Sequence, residues 1–359
     1  EITSLVPSAA NVDEYIKIVS EKATLRKLID TALEIETEGY NGRDSLGDIL
    51  DKAEKKILNV VKTRKGTEFR SIQDVLYKTQ ADLEKLAQNK GEITGIPSGF
   101  YDLDKITSGF HENELIIIAA RPAMGKTAFA LNLATNMAIN SKKSVALFNM
   151  EMGAEQLATR MLSSVGQIEG YKLRNGRLEH NDWKRINEAI SRLADTNIFI
   201  DDTPGMTIGE IRAKCRRLAA TEKGLSLIVI DYLQLVSTTS KYAGNRQQEV
   251  AEISRALKTL ALELKVPIIA CAQLSRAVEG REDKRPLMSD LRESGSIEQD
   301  ADIVAFLYRD DYYNKEARMD DNNSVVEFII GKNRNGQTKT VELLFKKNTS
   351  TFIGYKKEE

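Results

Sequence analysis

A chain of 359 residues with 41% hydrophobic content can bury a sizeable core, and its length suggests two domains. No run of about 18 apolar residues occurs, so no segment reads as a membrane span. A net charge of −1 with 29% charged residues excludes a broad basic coat for nucleic acid, so any such contact is expected to be local.

Cys215 and Cys271 lie far apart and make no metal or redox spacing, which predicts a reducing, cytoplasmic interior. With only His111 and His180, a histidine-based metal site or triad is not expected, and both read as surface or loop residues. The chain opens at Glu1 without a methionine or a signal pattern, in what reads as a polar linker, so an N-terminal portion is expected ahead of it.

In chain order, Val12, Tyr15, Ile16, Val19, Leu28, Ile29, Ala32 and Leu33 keep a helical period up to Glu36. A break from Gly39 to Asp44 separates them from a second helical pattern, Leu46, Ile49, Leu50, Ala53, Ile57 and Val61, with Asp44 or Ser45 as its cap. Two helices joined this way form an antiparallel hairpin. Alone they have too little core, so each needs a partner from the preceding portion or another subunit. A solvated pair of charged helices is the plainer alternative. Lys62 to Glu68 reads as a charged linker, and Ile72, Val75, Leu76, Leu83 and Leu86 mark a further amphipathic helix, followed by a polar stretch from Gln88 to Gly91. Its apolar face has no evident partner nearby and is predicted to dock on a neighbouring subunit. The expected division is a helical hairpin over 1–65, a linker with its docking helix over 66–94, and a main domain over 95–359.

The main domain opens on the turn-rich IPSGFYDLDKITSGF and then alternates strands with helices. The predicted strands are Leu115 to Ala119, Val145 to Met150, Ile198 to Ile200, Leu227 to Ile230 and Ile268 to Ala272. Such alternation implies an α/β fold with a mostly parallel sheet covered on both faces. Beyond about Ala305 the pattern changes to Ile303 to Tyr308, Val325 to Ile330 and Thr340 to Phe345, which suits antiparallel hairpins at one edge.

Between the first of these strands and the next helix lies [AG]-x-x-x-x-G-K-[ST], from Ala120 through Gly125, Lys126 and Thr127. This is a phosphate-loop pattern, with Ala120 in place of the usual first glycine. Gly125 lets the backbone curl so that successive N–H groups point at phosphate oxygens, and the helix adds its positive N-terminal end. The candidates for holding the nucleotide are Arg121, Pro122, Ala123, Met124, Gly125, Lys126, Thr127 and Ala128. Lys126 would reach the β- and γ-phosphates, and Thr127 would hold Mg²⁺. The competing reading, a chance Gly-Lys-Thr in a loop, is weakened by the required strand before it and helix after it.

Leu227 to Ile230 runs into Asp231, as a buried strand would that delivers a carboxylate toward Mg²⁺; by itself such a run is common. Glu151 ends the Val145 to Met150 strand on the rim where ligands bind, where a carboxylate can polarise an attacking water; otherwise it is a carboxylate at a helix start. Gln273 ends the Ile268 to Ala272 strand, suited to sense a γ-phosphate or else merely a capping or solvent-facing side chain. Lys332 and Arg334 flank Asn333 ahead of Asn335-Gly336, a hairpin-turn signal, and a period of two turns both cations the same way. Such a tip could act as an arginine finger on an adjacent subunit, worth roughly 10³ to 10⁵ in rate, or it could be a solvated basic turn.

Together RPAMGKTAFALN at 121–132, FNMEM at 148–152, VIDYLQLV at 229–236, PIIACAQLSR at 267–276, DLRESGSIEQDAD at 290–302 and GKNRNG at 331–336 resemble the replicative hexameric helicases of the DnaB family. The resemblance covers nearly the whole chain, with 1–94 similar to the end of that family's N-terminal helical domain and its linker helix. It implies a RecA-like ATPase domain in a homohexameric ring, using ATP and Mg²⁺, with single-stranded DNA through the centre and 5′ to 3′ unwinding. It further implies Lys126 and Thr127 on nucleotide and metal, Glu151 activating water, Asp231 supporting the metal, and Gln273 coupling phosphate to movement. Lys332 and Arg334 would act in trans, and DNA contacts would fall at about Thr238 to Gln248 and at Arg292, Glu293, Ser294 and Gly295. Implied partners are primase and a helicase loader or initiator protein, with no membrane and a cytoplasmic, nucleoid-associated location. The alternative is a RecA-like, ATP-switched ring or filament scaffold without unwinding activity.

Overall fold

The computed structural model describes residues 12–41, 47, 49–50, 52–53, 56–57, 60, 71–88, 93–237, 246–314, 316 and 320–355. The predicted cap at Asp44 or Ser45, the linker 62–68 and most of the expected DNA segment Thr238 to Gln248 lie outside those residues, as do the side chains of 292–295. The chain divides into two compact units between Lys90 and Gly91. Among the described residues no helix is long and apolar enough to cross a membrane.

In the first unit helix α1 spans Val12–Asn41. It runs through the predicted break at Gly39, where an added Cβ would meet nothing within 4 Å and the backbone stays helical. Lys56 Nζ reaches back to Glu34 Oε2 at 2.9 Å and Glu38 Oε1 at 3.0 Å, which brings Lys56 against α1. Helix α2 spans Ile72–Gln88, and the Ser71 hydroxyl caps it by accepting from Asp74 N–H at 3.1 Å. Ile72, Leu76, Tyr77 and Leu83 of α2 are exposed.

The second unit, in order, runs α3 (Tyr101–Thr107), β1 (Leu115–Ala120), α4 (Lys126–Asn140), β2 (Val145–Asn149), α5 (Ala154–Gly166), α6 (Gly170–Asn175), α7 (His180–Ala194) and β3 (Ile198–Asp201). It continues with α8 (Ile208–Ala219), β4 (Leu227–Asp231), α9 (Arg246–Leu264), β5 (Ile268–Gln273), α10 (Gly295–Asp300), β6 (Ile303–Tyr308), α11 (Asp310–Tyr313), β7 (Asn323–Asn333), β8 (Thr340–Lys346) and β9 (Thr351–Gly354). The strands form one sheet in the order β3-β2-β4-β5-β1-β6-β7-β8-β9.

Every residue of β1, β2, β4 and β6 is buried, as their continuous apolar runs require. Alternate residues of β1 face opposite cores. Ile116 and Ile118 join Phe129, Leu133 and Met137 of α4, whereas Leu115, Ile117 and Ala119 join Ile253, Leu257 and Leu260 of α9. Each such large side chain contributes about 1.5–3 kcal/mol by leaving water.

The pairing expected of one strand is corrected. The apolar run of β6 suits the antiparallel edge by pattern, but the strand pairs parallel with β1, Ile116 opposite Ile303. The long connection from β5 gives room for a crossover, which a parallel neighbour needs. Antiparallel pairing starts at β7 and ends in β9, a strand with no predicted counterpart because four residues carry too little pattern. The turn-rich segment 96–110 holds the short helix α3.

The parallel ladder decides where chemistry collects. Ala120 is level with Gln273, and Asn149 is level with Asp231, so the ends of four strands share one rim.

Candidate nucleotide site

From β1 the chain turns through Arg121 to Gly125 into the N-terminus of α4, whose first N–H groups lack partners within the helix. Gly125 has φ +94, a conformation that favours glycine, and a Cβ there would sit a tight 3.0 Å from Phe352 Cζ. Ala123 is also left-handed, with φ +67.

Two of the predicted loop side chains turn away from the opening. Arg121 donates Nε and NH2 to Glu279 Oε1 at 2.9 and 2.8 Å and NH1 to the Leu274 carbonyl at 2.8 Å. Met124 is packed in the core. Pro122, Ala123, Gly125, Lys126, Thr127 and Ala128 line a cleft of about 1250 Å³, with Glu151 and Gln273 on its wall. Arg121 still lines the cleft, whereas Met124 does not.

On that rim Lys126 Nζ lies 3.4 Å from Asp231 Oδ1 and 4.2 Å from the centre of the Tyr232 ring. Asp231 Oδ2 accepts from Asn149 Nδ2 at 3.3 Å, while Oδ1 is buried without a hydrogen-bond donor. The Asp231 carboxylate at the end of β4 and the Thr127 hydroxyl in the first turn of α4 are oxygen donors of the kind a hard divalent cation takes. Cys271 lies one strand away, on β5. Burial, and then the Asp231 charge, push its thiol well above the ordinary cysteine value, which keeps it protonated.

Asn149 and Gln234 brace residues of this rim, and the sequence reading singled out neither. Asn149 Oδ1 accepts from the N–H groups of Glu151 (3.1 Å) and Met152 (2.8 Å), so one amide fixes the Glu151 turn and touches the Asp231 carboxylate. Gln234 brackets Gln273, taking its N–H at Oε1 and giving Nε2 to its carbonyl, both at 3.2 Å. Both lie inside quoted motifs, FNMEM and VIDYLQLV, which was the only signal available. Arg160, Arg174 and Lys347 also line the cleft, and no motif marks them.

Lys332 and Arg334 stand elsewhere. Asn333 pairs with Ile303 at the start of β6, on the opposite rim from the loop. Lys332 Nζ donates to the carbonyls of Glu298 and Ala301, and Arg334 binds the Gln299 carbonyl and Asp302 Oδ1, the latter at 3.2 Å. The two cations therefore do face one way, onto residues 298–302. Burial, followed by the charge of Arg334, lowers the Lys332 pKa. The tip itself differs from the two-residue turn predicted at Asn335-Gly336. Ile330 N–H bonds the Lys339 carbonyl, and residues 334–339 form a wider loop in which Asn333 Oδ1 takes the Asn335 N–H at 3.2 Å.

Residues 288–294 are a 3₁₀ segment, and Gly295 opens α10. The Asp290 carbonyl accepts from Ser275 N–H at 3.1 Å, which ties the stretch bearing Arg292, Glu293, Ser294 and Gly295 to the chain just past Gln273.

A glycine-curled loop between strand and helix, facing carboxylates on the ends of neighbouring parallel strands, defines a P-loop ATPase of the RecA-like kind. Residues 95–354 match the family model described as DnaB-like helicase C terminal domain. The chain belongs to this DnaB-like helicase family. It is 54% identical over 353 residues to the replicative DNA helicase DnaC of Bacillus subtilis, covering 98% of this chain and 77% of that one. It is 53% identical over the same length and shares to the replicative DNA helicase DnaB of Geobacillus stearothermophilus. A solved DnaB-like replicative helicase, described with its interactions with primase, matches with TM-score 0.79 and 38% identity over 98% of this chain and 81% of that one.

Proposed function

We propose that this chain is a replicative DNA helicase that couples ATP hydrolysis to 5′ to 3′ movement along single-stranded DNA and to duplex unwinding, as a homohexameric ring. The observation that carries the reading is the separation of two half-sites. Lys126, Glu151, Asp231 and Gln273 share one rim, while Lys332 and Arg334 occupy the other. The length of a strand, about 15–20 Å, lies between them, further than a side chain reaches. Head-to-tail contact between copies brings one rim to the other, and such heterologous contacts close into rings.

In this site the loop N–H groups and Lys126 bind the ATP phosphates. Thr127 and Asp231 would hold Mg²⁺, which supplies charge neutralisation at the phosphates when bound. Glu151 orients and polarises the attacking water. Arg334 and Lys332 of the next copy stabilise charge on the transferred phosphoryl group. Gln273 contacts the γ-phosphate, and the Ser275 to Asp290 bond carries its displacement toward Arg292 to Gly295, whose backbone tracks DNA phosphates. Primase and a loader or initiator protein are the expected partners, with the protein working in the cytoplasm at the nucleoid.

The test is unwinding of a forked duplex with a free 5′ tail, in ATP and Mg²⁺. Strand separation that needs the 5′ tail is expected. DNA-stimulated hydrolysis without separation would instead favour the ATP-switched scaffold.

A further inference from the structure

We propose that Arg309 is a positioning residue for the phosphate loop, acting through the Ala123 carbonyl; the inference rests on the nucleotide-binding reading of that loop. In a loop whose N–H groups converge on an anion, the carbonyls must point the other way, into protein, and each one buried there needs a donor. Arg309 NH1 supplies it to Ala123 O at 3.0 Å. Ala123 is the loop's left-handed alanine, a conformation disfavoured for a residue with a Cβ unless its surroundings hold it.

The guanidinium is itself fixed on its other edges. It follows β6 directly, is 7% exposed, and donates Nε to Ser324 Oγ at 2.9 Å and to Asp311 Oδ1 at 3.2 Å, and NH2 to Asp311 Oδ2 at 3.0 Å. Ser324 gives its own hydroxyl proton to Asp311, and Lys347 lies 3.2 Å from the same carboxylate while also lining the cleft. The planar fork of an arginine can span a carboxylate on one side and a carbonyl on another, and here it joins the loop to β7 and to the segment after β8. The loop's shape is therefore set from the antiparallel edge of the sheet, outside the phosphate-loop motif.

The experiment compares the full chain with Arg309→Lys in DNA-stimulated ATP hydrolysis and in binding of a fluorescent ATP analogue. Lysine keeps a charge against Asp311 but cannot bridge Asp311 and Ala123 together. The dissociation constant and KM for ATP are expected to rise about tenfold, the scale of one charge-assisted hydrogen bond, with kcat at saturating ATP within about threefold of wild type. A fall in kcat at unchanged KM marks loss of folded molecules and overturns the proposal, as does no change in either. Where Arg309→Lys fails to fold, Ser324→Ala decides. It removes the hydroxyl that receives Nε and is expected to raise KM about threefold, and an unchanged KM overturns the proposal. Wild-type protein that binds no ATP would refute the nucleotide reading itself, whereas normal wild-type binding with unaltered variants refutes the role of Arg309 alone.

Discussion

Burial pushes the Asp311 carboxyl up, but hydrogen bonds from Arg309 and Ser324, the Arg309 charge and Lys347 outweigh it, and the group ends below its usual range. A carboxylate lowered in the folded state stabilises at pH values above its unfolded pKa, and that stabilisation disappears as pH falls through the lowered folded value. Asp311→Asn is therefore expected to lower Tm at pH 7 by something on the order of 3 °C, with the gap from wild type narrowing below about pH 4. Thermal melts from pH 7 to pH 3 check this, and a gap that stays constant across the series counts against it. At this scale the sequence placed Asp231 and Gln273 at strand ends, Lys126 at a helix start and Glu151 just past β2, and the structure has them there. It was silent where a role depends on a partner far along the chain. The Asn149 amide meets Asp231 across 82 residues, and Arg309 meets Ala123 across 186, separations that no local spacing encodes.

Strand β9 shows the same limit for an element. Thr351–Gly354 has neither the length nor the alternation to announce a strand, and it is held by contacts from elsewhere. Asn132 of α4 donates Nδ2 to the Ser350 carbonyl at 3.0 Å and accepts the Phe352 N–H at 2.8 Å, while the Phe352 ring lies 5.1 Å from Phe129 and 4.4 Å from Phe345. Asn132→Ala leaves a buried N–H and a carbonyl without partners, at about 2 kcal/mol, visible as a lower urea midpoint. Because Phe352 abuts Gly125, nucleotide binding should weaken alongside. A variant with the wild-type midpoint would show that β9 is held by its ring contacts alone. The parallel core, by contrast, was readable because buried strands alternating with helices imply parallel pairing, although not the strand order. The direction of β6 was not, since its six apolar residues fit either pairing.

For the whole molecule the two rims govern the outcome of mixing. Arg334→Ala should retain ATP binding and lose hydrolysis by roughly 10³-fold or more, and Lys126→Ala should fail to bind. Neither supports turnover alone. Combined one to one, random assembly sets an intact loop against an intact arginine at about one interface in four, so hydrolysis should partly return. No recovery, with subunit exchange demonstrated by mass, would argue that Arg334 acts elsewhere.

If Lys332 and Arg334 complete a neighbour's site, as proposed, a lesion there harms another copy rather than its own. In a cell expressing sound and faulty alleles equally, only about one six-membered ring in sixty-four would be free of the defect. Alleles at Arg334 should then behave as dominant, while those that keep the subunit from folding or joining a ring remain recessive.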